Sequence, residues 1–223
     1  MWILPTRNRQ AFCQRFLDAC VETKMTSPGI LVMDGCFYRD LRVPPNWQTR
    51  ATEHMELCGV LRKVFEDFPD EPFYGVVADD LVPITPHWDK RLEKAAGTWA
   101  ISSCNDSWCA PERMAGATCL GGDLLRALGY IVPSGMVHLY VDDLWETIGN
   151  GLDCWTVLMD VTVEHRHFGN RKAKHDPTYV RKFNGQQYAQ ADRQAFGAWK
   201  QTSEKELAHV ADLRRQARQR LRA

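Results

Sequence analysis

Residues 74–92 read YGVVADDLVPITPHWDKRL, an apolar run that ends on two adjacent aspartates, Asp79 and Asp80, and breaks at Pro83 and Pro86 before a charged stretch. A short apolar run bounded by turn residues reads as a buried strand. Adjacent carboxylates at its exit repel one another unless a cation or solvent compensates them. Hard divalent cations such as Mg²⁺ or Mn²⁺, which take oxygen ligands and bridge carboxylates to phosphates, suit such an exit. A helix N-cap or a solvated turn is the competing account of an isolated Asp-Asp pair.

Two earlier runs repeat the plan: WILPT (Trp2 to Thr6) and GILVMDG (Gly29 to Gly35) both end at polar residues. Between them lies RQAFCQRFLDACVETKM, in which Phe12, Phe16, Leu17 and Cys20 recur at helical spacing. A second helix is expected from Thr52 to Phe68, with Met55, Val60, Leu61, Val64 and Phe65 on its apolar side. Alternating strands and helices predict an α/β fold with a mixed, mostly parallel sheet flanked by helices, and ligands at the strand C-termini. Thr6 to Arg9, Asp34 and Asp79-Asp80 should converge at that edge.

The second half continues as a helix at WDKRLEKAA, a strand at WAISSCND, a helix start near TCLGGDLLRALG, a helix in HLYVDDLWETIGNGL and a strand in TVLMDVTVEHRHF. Two units follow from the composition. Residues 1–180 form the α/β body, and residues 181–223 form a polar, Gln-rich linker with a C-terminal basic helix. That helix is expected to start at Ser203, where Ser203 and Glu206 have capping-box spacing, and to bury Leu207, Val210, Leu213, Ala217 and Leu221. Its other face carries Arg214, Arg215, Arg218, Arg220 and Arg222.

The bulk numbers narrow the function classes. The chain has 223 residues, 44% of them hydrophobic, and a formal net charge of zero, so a polyanionic partner would need a local basic patch. No run approaches the roughly 18 apolar residues of a membrane span, and MWILPTRNR is too short for a signal peptide. A cytoplasmic protein is expected, with its eight cysteines reduced. No CxxC pair occurs, which disfavours a zinc ribbon.

Two further clusters bear chemistry. VEHRHF sets His165 and His167 two residues apart at a strand end, on one side, with Asp176 and Tyr179 following. Imidazole with carboxylate suits a Mn²⁺ or Zn²⁺ shell. Asp142 and Asp143 precede a helical run; one carboxylate could serve as a general base, or both could simply favour the helix N-terminus.

Together these residues resemble the GT-A-fold glycosyltransferases, near the large family of inverting enzymes that use nucleotide-sugar donors. WILPTRNR resembles that family's opening, whose backbone and polar side chains hold the nucleotide, which implies roles for Pro5, Thr6, Arg7, Asn8 and Arg9. Asp34 matches the acid that contacts base or ribose, ADD the DxD-like metal site, VDDLW the acidic acceptor-side motif, and EHRH the late histidine of the metal shell. The resemblance implies Mn²⁺ or Mg²⁺ on Asp80, Asp79 and His165 or His167, with phosphate contacts from Arg7, Arg9 and Lys172 or Lys174. It implies Asp143, beside Asp142, as the base in a single inverting displacement from a UDP-sugar or another nucleotide-diphosphate sugar.

The pair is DD rather than DxD, and the chain lacks an elaborated acceptor region. Its compact size and H-x-H…D-x-x-Y ending resemble bacteriophage transferases, some of which glycosylate hydroxylated pyrimidines in DNA. That implies a DNA acceptor and a host-cytoplasmic location. Two other functions stay open. A sugar nucleotidylyltransferase would begin with a Gly-rich loop, and LPTRNRQAF has no glycine. A non-enzymatic nucleic-acid-binding module would use the C-terminal arginines and the tryptophans, against the neutral charge and the acidic cluster.

Overall fold

The computed structural model describes residues 1–110, 113–114, 116–174 and 186–220. The three apolar runs become β1 (Trp2–Thr6), β2 (Gly29–Asp34) and β4 (Phe73–Val76), with α1 (Gln10–Glu22) after β1. Helix α2 spans Glu56–Asp67 rather than starting at Thr52, because Thr52 ends a strand that has no apolar run, β3 (Trp47–Thr52). Only Trp47 of β3 is buried. Six register pairs with β2, not hydrophobic periodicity, define it.

The second half supplies β5 (Leu81–Pro83), α3 (Trp88–Ala96), β6 (Ile101–Asn105), β7 (Thr118–Gly121), α4 (Gly122–Leu128), α5 (Val141–Gly151) and β8 (Trp155–His165). A 3₁₀ turn at Phe168–Asn170 follows, and α6 spans Gln186–Arg220. Among the described residues, eight strands form one sheet in the order β3-β2-β1-β4-β7-β6-β8-β5. β3, β2, β1 and β4 run parallel, β7 is antiparallel to both β4 and β6, β8 is parallel to β6, and β5 is antiparallel to β8. This is the mixed, mostly parallel α/β sheet that the alternation of elements predicts.

Strand pleating sends neighbouring side chains to opposite faces, so two cores form. Trp2 and Leu4 join Phe16, Leu31, Trp88 and Leu92 on one face. Ile3 joins Ile30, Val32, Leu61, Trp145 and Ile148 on the other. Gly75 lets β4 lie against the indole of Trp2, since a Cβ there would fall 2.2 Å from the ring. Trp2 meets Trp88 edge-on with ring centroids 4.5 Å apart.

The C-terminal helix departs from its expected start. Ser203 lies deep inside α6, with its hydroxyl donating to the carbonyl of Lys200 at 3.0 Å instead of capping a terminus. A capping-box pattern within a stretch of good helix formers does not stop a helix that packing supports. Trp199, Leu207 and Val210 are buried in the core that contains Trp145 and Ile148. Arg214 donates to the carbonyl of Leu152 at 2.8 Å, and Arg215 pairs with Asp212, so both arginines already have partners within the chain. Leu221 and Arg222 lie outside the described residues. Among the described residues, no helix is long and apolar enough to cross a membrane.

Candidate active site at the carboxyl edge of the sheet

The three polar strand exits do meet. Pro5 to Arg9 at the end of β1 and just beyond it, Asp34 at the end of β2 and Val77 to Asp80 after β4 line one cleft of about 460 Å³, together with Glu56, His138, Leu139 and Tyr188 of α6. Parallel strands place their carboxyl ends on one side, so residues distant in sequence become neighbours there. Asn8, exposed in the cleft wall, adopts a φ of 55°, a conformation asparagine tolerates better than most residues.

Asp79 and Asp80 are both buried, and their repulsion is met by cations. Arg9 donates to Asp79 Oδ1 at 2.6 Å and lies 3.4 Å from Asp80 Oδ2. Thr6 donates its hydroxyl to Asp79 Oδ2 at 2.8 Å. The Tyr38 hydroxyl accepts from the backbone N–H of Arg9 at 2.7 Å and lies 3.1 Å from Thr6 Oγ1, which fixes the loop after β1.

On the far side of the pair, His165 Nε2 lies 3.5 Å from Asp80 Oδ1, and its Nδ1 lies 3.6 Å from Asp106 Oδ2. Burial opposes protonation of His165, but the Asp106 and Asp80 carboxylates outweigh it and raise its pKa to about 9. Burial likewise opposes ionisation of Asp106. His165 and the N–H groups of Cys109 and Trp108 outweigh that and hold its carboxyl at about 2. Three carboxylates thus share two cationic side chains, which leaves one net negative charge at the strand exit.

Among the described residues, no three His, Cys, Asp or Glu side chains form a ready-made metal shell. Asp79 and Asp80 could supply part of one, completed by water and substrate phosphates, which is how Mg²⁺ is usually held at nucleotide sites.

His167 is used otherwise. Its Nδ1 accepts from the Gly169 N–H at 2.9 Å and caps the 3₁₀ turn, while its ring stacks on Trp108 with centroids 5.0 Å apart. Lys172 pairs with Glu164 at 2.8 Å and is not among the cleft's lining residues. Glu164 and His165 are adjacent in β8, so they project to opposite faces. Asp143 pairs with Arg113 at 3.1 Å, and Arg113 also reaches Glu146 at 3.3 Å. Asp142 is exposed at the start of α5, outside the cleft lining, and its charge interacts with that of His165. Asp176 and Tyr179 lie outside the described residues.

Four residues of this edge carried no expectation from sequence. Asp106 could have been found by the logic applied to the other strands, since WAISSCND also ends on an acid. His54, Glu56 and His138 belong to no motif. Asp34 accepts from the Met55 N–H at 2.7 Å and meets His54 Nδ1 at 2.7 Å, so it orients a second layer of side chains. His54 Nε2 lies 2.8 Å from Glu56 Oε1 and contacts Arg7, while His138 Nδ1 lies 3.1 Å from Glu56 Oε2. His138, aided by His54, holds the Glu56 carboxyl at about 2 against the opposing effect of burial.

The chain has the GT-A fold of nucleotide-sugar glycosyltransferases. It is similar to glucosyl-3-phosphoglycerate synthase from Mycobacterium tuberculosis, solved with Mn²⁺, UDP and glucosyl-3-phosphoglycerate, at 14% identity and TM-score 0.54 over 74% of this chain and 71% of that one. Mannosyltransferase PcManGT from Pyrobaculum calidifontis, solved with GDP-Man and Mn²⁺, matches at 13% identity and TM-score 0.55 over 95% and 72%. Residues 1–349 of TarS from S. aureus match at 12% identity and TM-score 0.54 over 73% and 58%. No protein-family model and no curated protein matches the sequence.

Proposed function

We propose that this protein is a metal-dependent, inverting glycosyltransferase that moves a hexosyl or pentosyl group from a nucleotide-diphosphate sugar, a UDP-sugar foremost, to a hydroxyl acceptor. The observation that carries the reading is the cleft shared by the loop after β1, Asp34 and the Asp79-Asp80 exit. Its size suits a small ligand, and its cationic and acidic groups are those a nucleotide diphosphate and its cation require. The fold neighbours solved with UDP or GDP-mannose and Mn²⁺ support the same donor class.

Pro5 to Asn8 and Asp34 would wall the nucleoside, with Arg7 and Arg9 positioned for phosphate. Asp80 and Asp79 would hold Mn²⁺ or Mg²⁺, with His165 as the late ligand once the ion displaces its proton, since the turn already uses His167 Nδ1. The ion would supply charge neutralisation at the departing diphosphate. Asp143, beside Asp142 whose charge acts on His165, would take the proton from an acceptor hydroxyl.

The eight free cysteines suit the reducing cytoplasm. A hydroxylated pyrimidine in phage DNA is a further acceptor candidate; Arg214 and Arg215 of α6 already have partners, which leaves the exposed Arg218 and Arg220 to meet it.

Thermal denaturation with UDP-, GDP-, CDP- and TDP-sugars, each with Mn²⁺ or with EDTA, tests the reading. A ligand at one hundred times its Kd stabilises by about 2.7 kcal/mol, or roughly 5–10 °C for a chain of this size. One donor should reach that shift with Mn²⁺ alone, and Asp80→Asn should abolish it. Identical melting curves across all donors and both metal conditions would sink the proposal.

A further inference from the structure

Trp108 follows β6 and is 44% exposed, although it is firmly held. Its backbone N–H donates to Asp106 Oδ1 at 2.9 Å. His167 stacks on it at an interplanar angle of 20°, and His165 meets it edge-on with centroids 5.1 Å apart. Gly169 brings backbone against the indole; a Cβ there would lie 3.2 Å from Trp108 Cζ2. Phe168, beside the same turn, is 38% exposed. A large aromatic that serves packing alone is ordinarily buried, so an anchored yet open indole is available to a ligand.

Its position says which ligand. Thr6 and Arg9 approach the acidic pair at Asp79, on the nucleotide side of the proposed donor cleft. His165, which meets Trp108 edge-on, lies 3.5 Å from Asp80 Oδ1. Carboxylates stand nearby: Asp142 lies close enough for its charge to act on His165 and Cys109, and Asp143 and Glu146 of α5 share Arg113. Of the nearby cations, Arg113, Arg166 and Lys172 each already pair with a carboxylate and His165 lies between Asp80 and Asp106, while Arg171 is exposed at the end of the turn. Carboxylates repel a polyphosphate chain but accept hydrogen bonds from hydroxyls, and an indole face attracts the polarised C–H groups of a sugar ring.

We propose that Trp108 is the floor of the acceptor subsite and that the group it takes is a neutral hexopyranose, stacked on the indole with its hydroxyls toward Asp142 and Asp143. This rests on the glycosyl-transfer reading of the cleft, and it assigns the acceptor to carbohydrate rather than nucleic acid.

Saturation-transfer NMR on the full chain tests it, with diamagnetic Mg²⁺ and three probes. The probes are UDP, a panel of methyl α- and β-glucosides, galactosides and mannosides, and an oligothymidylate. At least one glycoside should receive saturation through its ring C–H protons. Aromatic stacking of ordinary strength makes the expected loss in Trp108→Ala roughly five- to tenfold in affinity, with Trp108→Phe recovering most of it. A purely structural role would not produce that recovery. Binding of no glycoside, or glycoside binding equal in wild type and Trp108→Ala, overturns the proposal. Oligothymidylate binding that depends on Trp108 overturns it in favour of a nucleobase platform. If wild type fails to bind UDP, the donor reading falls instead, and the glycoside comparison is still decided by Trp108→Ala.

Discussion

At the scale of single residues, the adjacent aspartates are tolerated because Arg9 and His165 neutralise them from opposite sides. Removing one partner of a buried ion pair leaves an uncompensated charge and costs about 3–5 kcal/mol. Arg9→Ala should therefore lower the unfolding free energy by about 3 kcal/mol in urea melts without metal, and Mn²⁺ should restore part of that loss by taking over the neutralisation. A variant as stable as wild type would show that the two carboxylates are not strained by one another.

Glu56 gives a pH-dependent counterpart. Its carboxyl titrates near 2 in the folded chain instead of 4.5, held down by His138 and His54. A depressed folded-state pKa contributes stability that is full above about 4.5 and is lost as pH falls toward about 2. Unfolding free energy should accordingly decline across that window, and Glu56→Gln should flatten the decline by an amount on the order of 1–3 kcal/mol, solvent screening included. Parallel pH profiles for the two proteins would refute the assignment.

At the scale of elements, α6 does more than extend the chain. The buried carboxylate of Asp192 accepts from the backbone N–H groups of Val137, His138 and Leu139 at 2.6, 2.9 and 2.7 Å. Those residues include His138 and Leu139 of the cleft wall, so the helix shapes the site through main-chain geometry. Asp192→Ala strands three donors and should cost about 2–4 kcal/mol in denaturant melts, since each unmet buried donor costs about 1–3 kcal/mol before water compensates. It should also weaken nucleotide binding relative to Asp192→Asn, which keeps one acceptor oxygen. Equal binding by the two variants would separate the helix from the site.

The elements also differ in how far sequence reveals them. β1, β2 and β4 are legible because burial on both faces makes them continuous apolar runs. β3 is not, because an edge strand with one buried residue leaves no such trace.

At the scale of the whole molecule, the basic helix is part of the body. Tyr130, which follows α4, ties it there through a relay of hydrogen bonds: Trp199 Nε1 donates to the Tyr130 hydroxyl at 2.7 Å, and that hydroxyl donates to Glu206 at 2.6 Å. Leu207 and Val210 complete the core beside it. A chain ended at residue 203 should lose about 3–6 kcal/mol, because fully burying each such aliphatic side chain contributes about 1.5–3 kcal/mol. Circular dichroism melts would register this; an unchanged melting temperature would mark residues 204–223 as dispensable.

Local hydrophobic periodicity sufficed to read the alternation of strands and helices, the acidic exit at Asp79-Asp80 and the edge where a ligand would bind, because those features depend on which residues are buried nearby along the chain. The partners at that edge depended on tertiary structure. Arg9 meets Asp79 across 70 positions of sequence, and Asp192 meets His138 across 54. His165 was separated from His167, although both stand at the same strand end, only by the turn that claims His167. Strand order, register and loop path set these encounters, and none of the three is encoded in the spacing of residues along one segment.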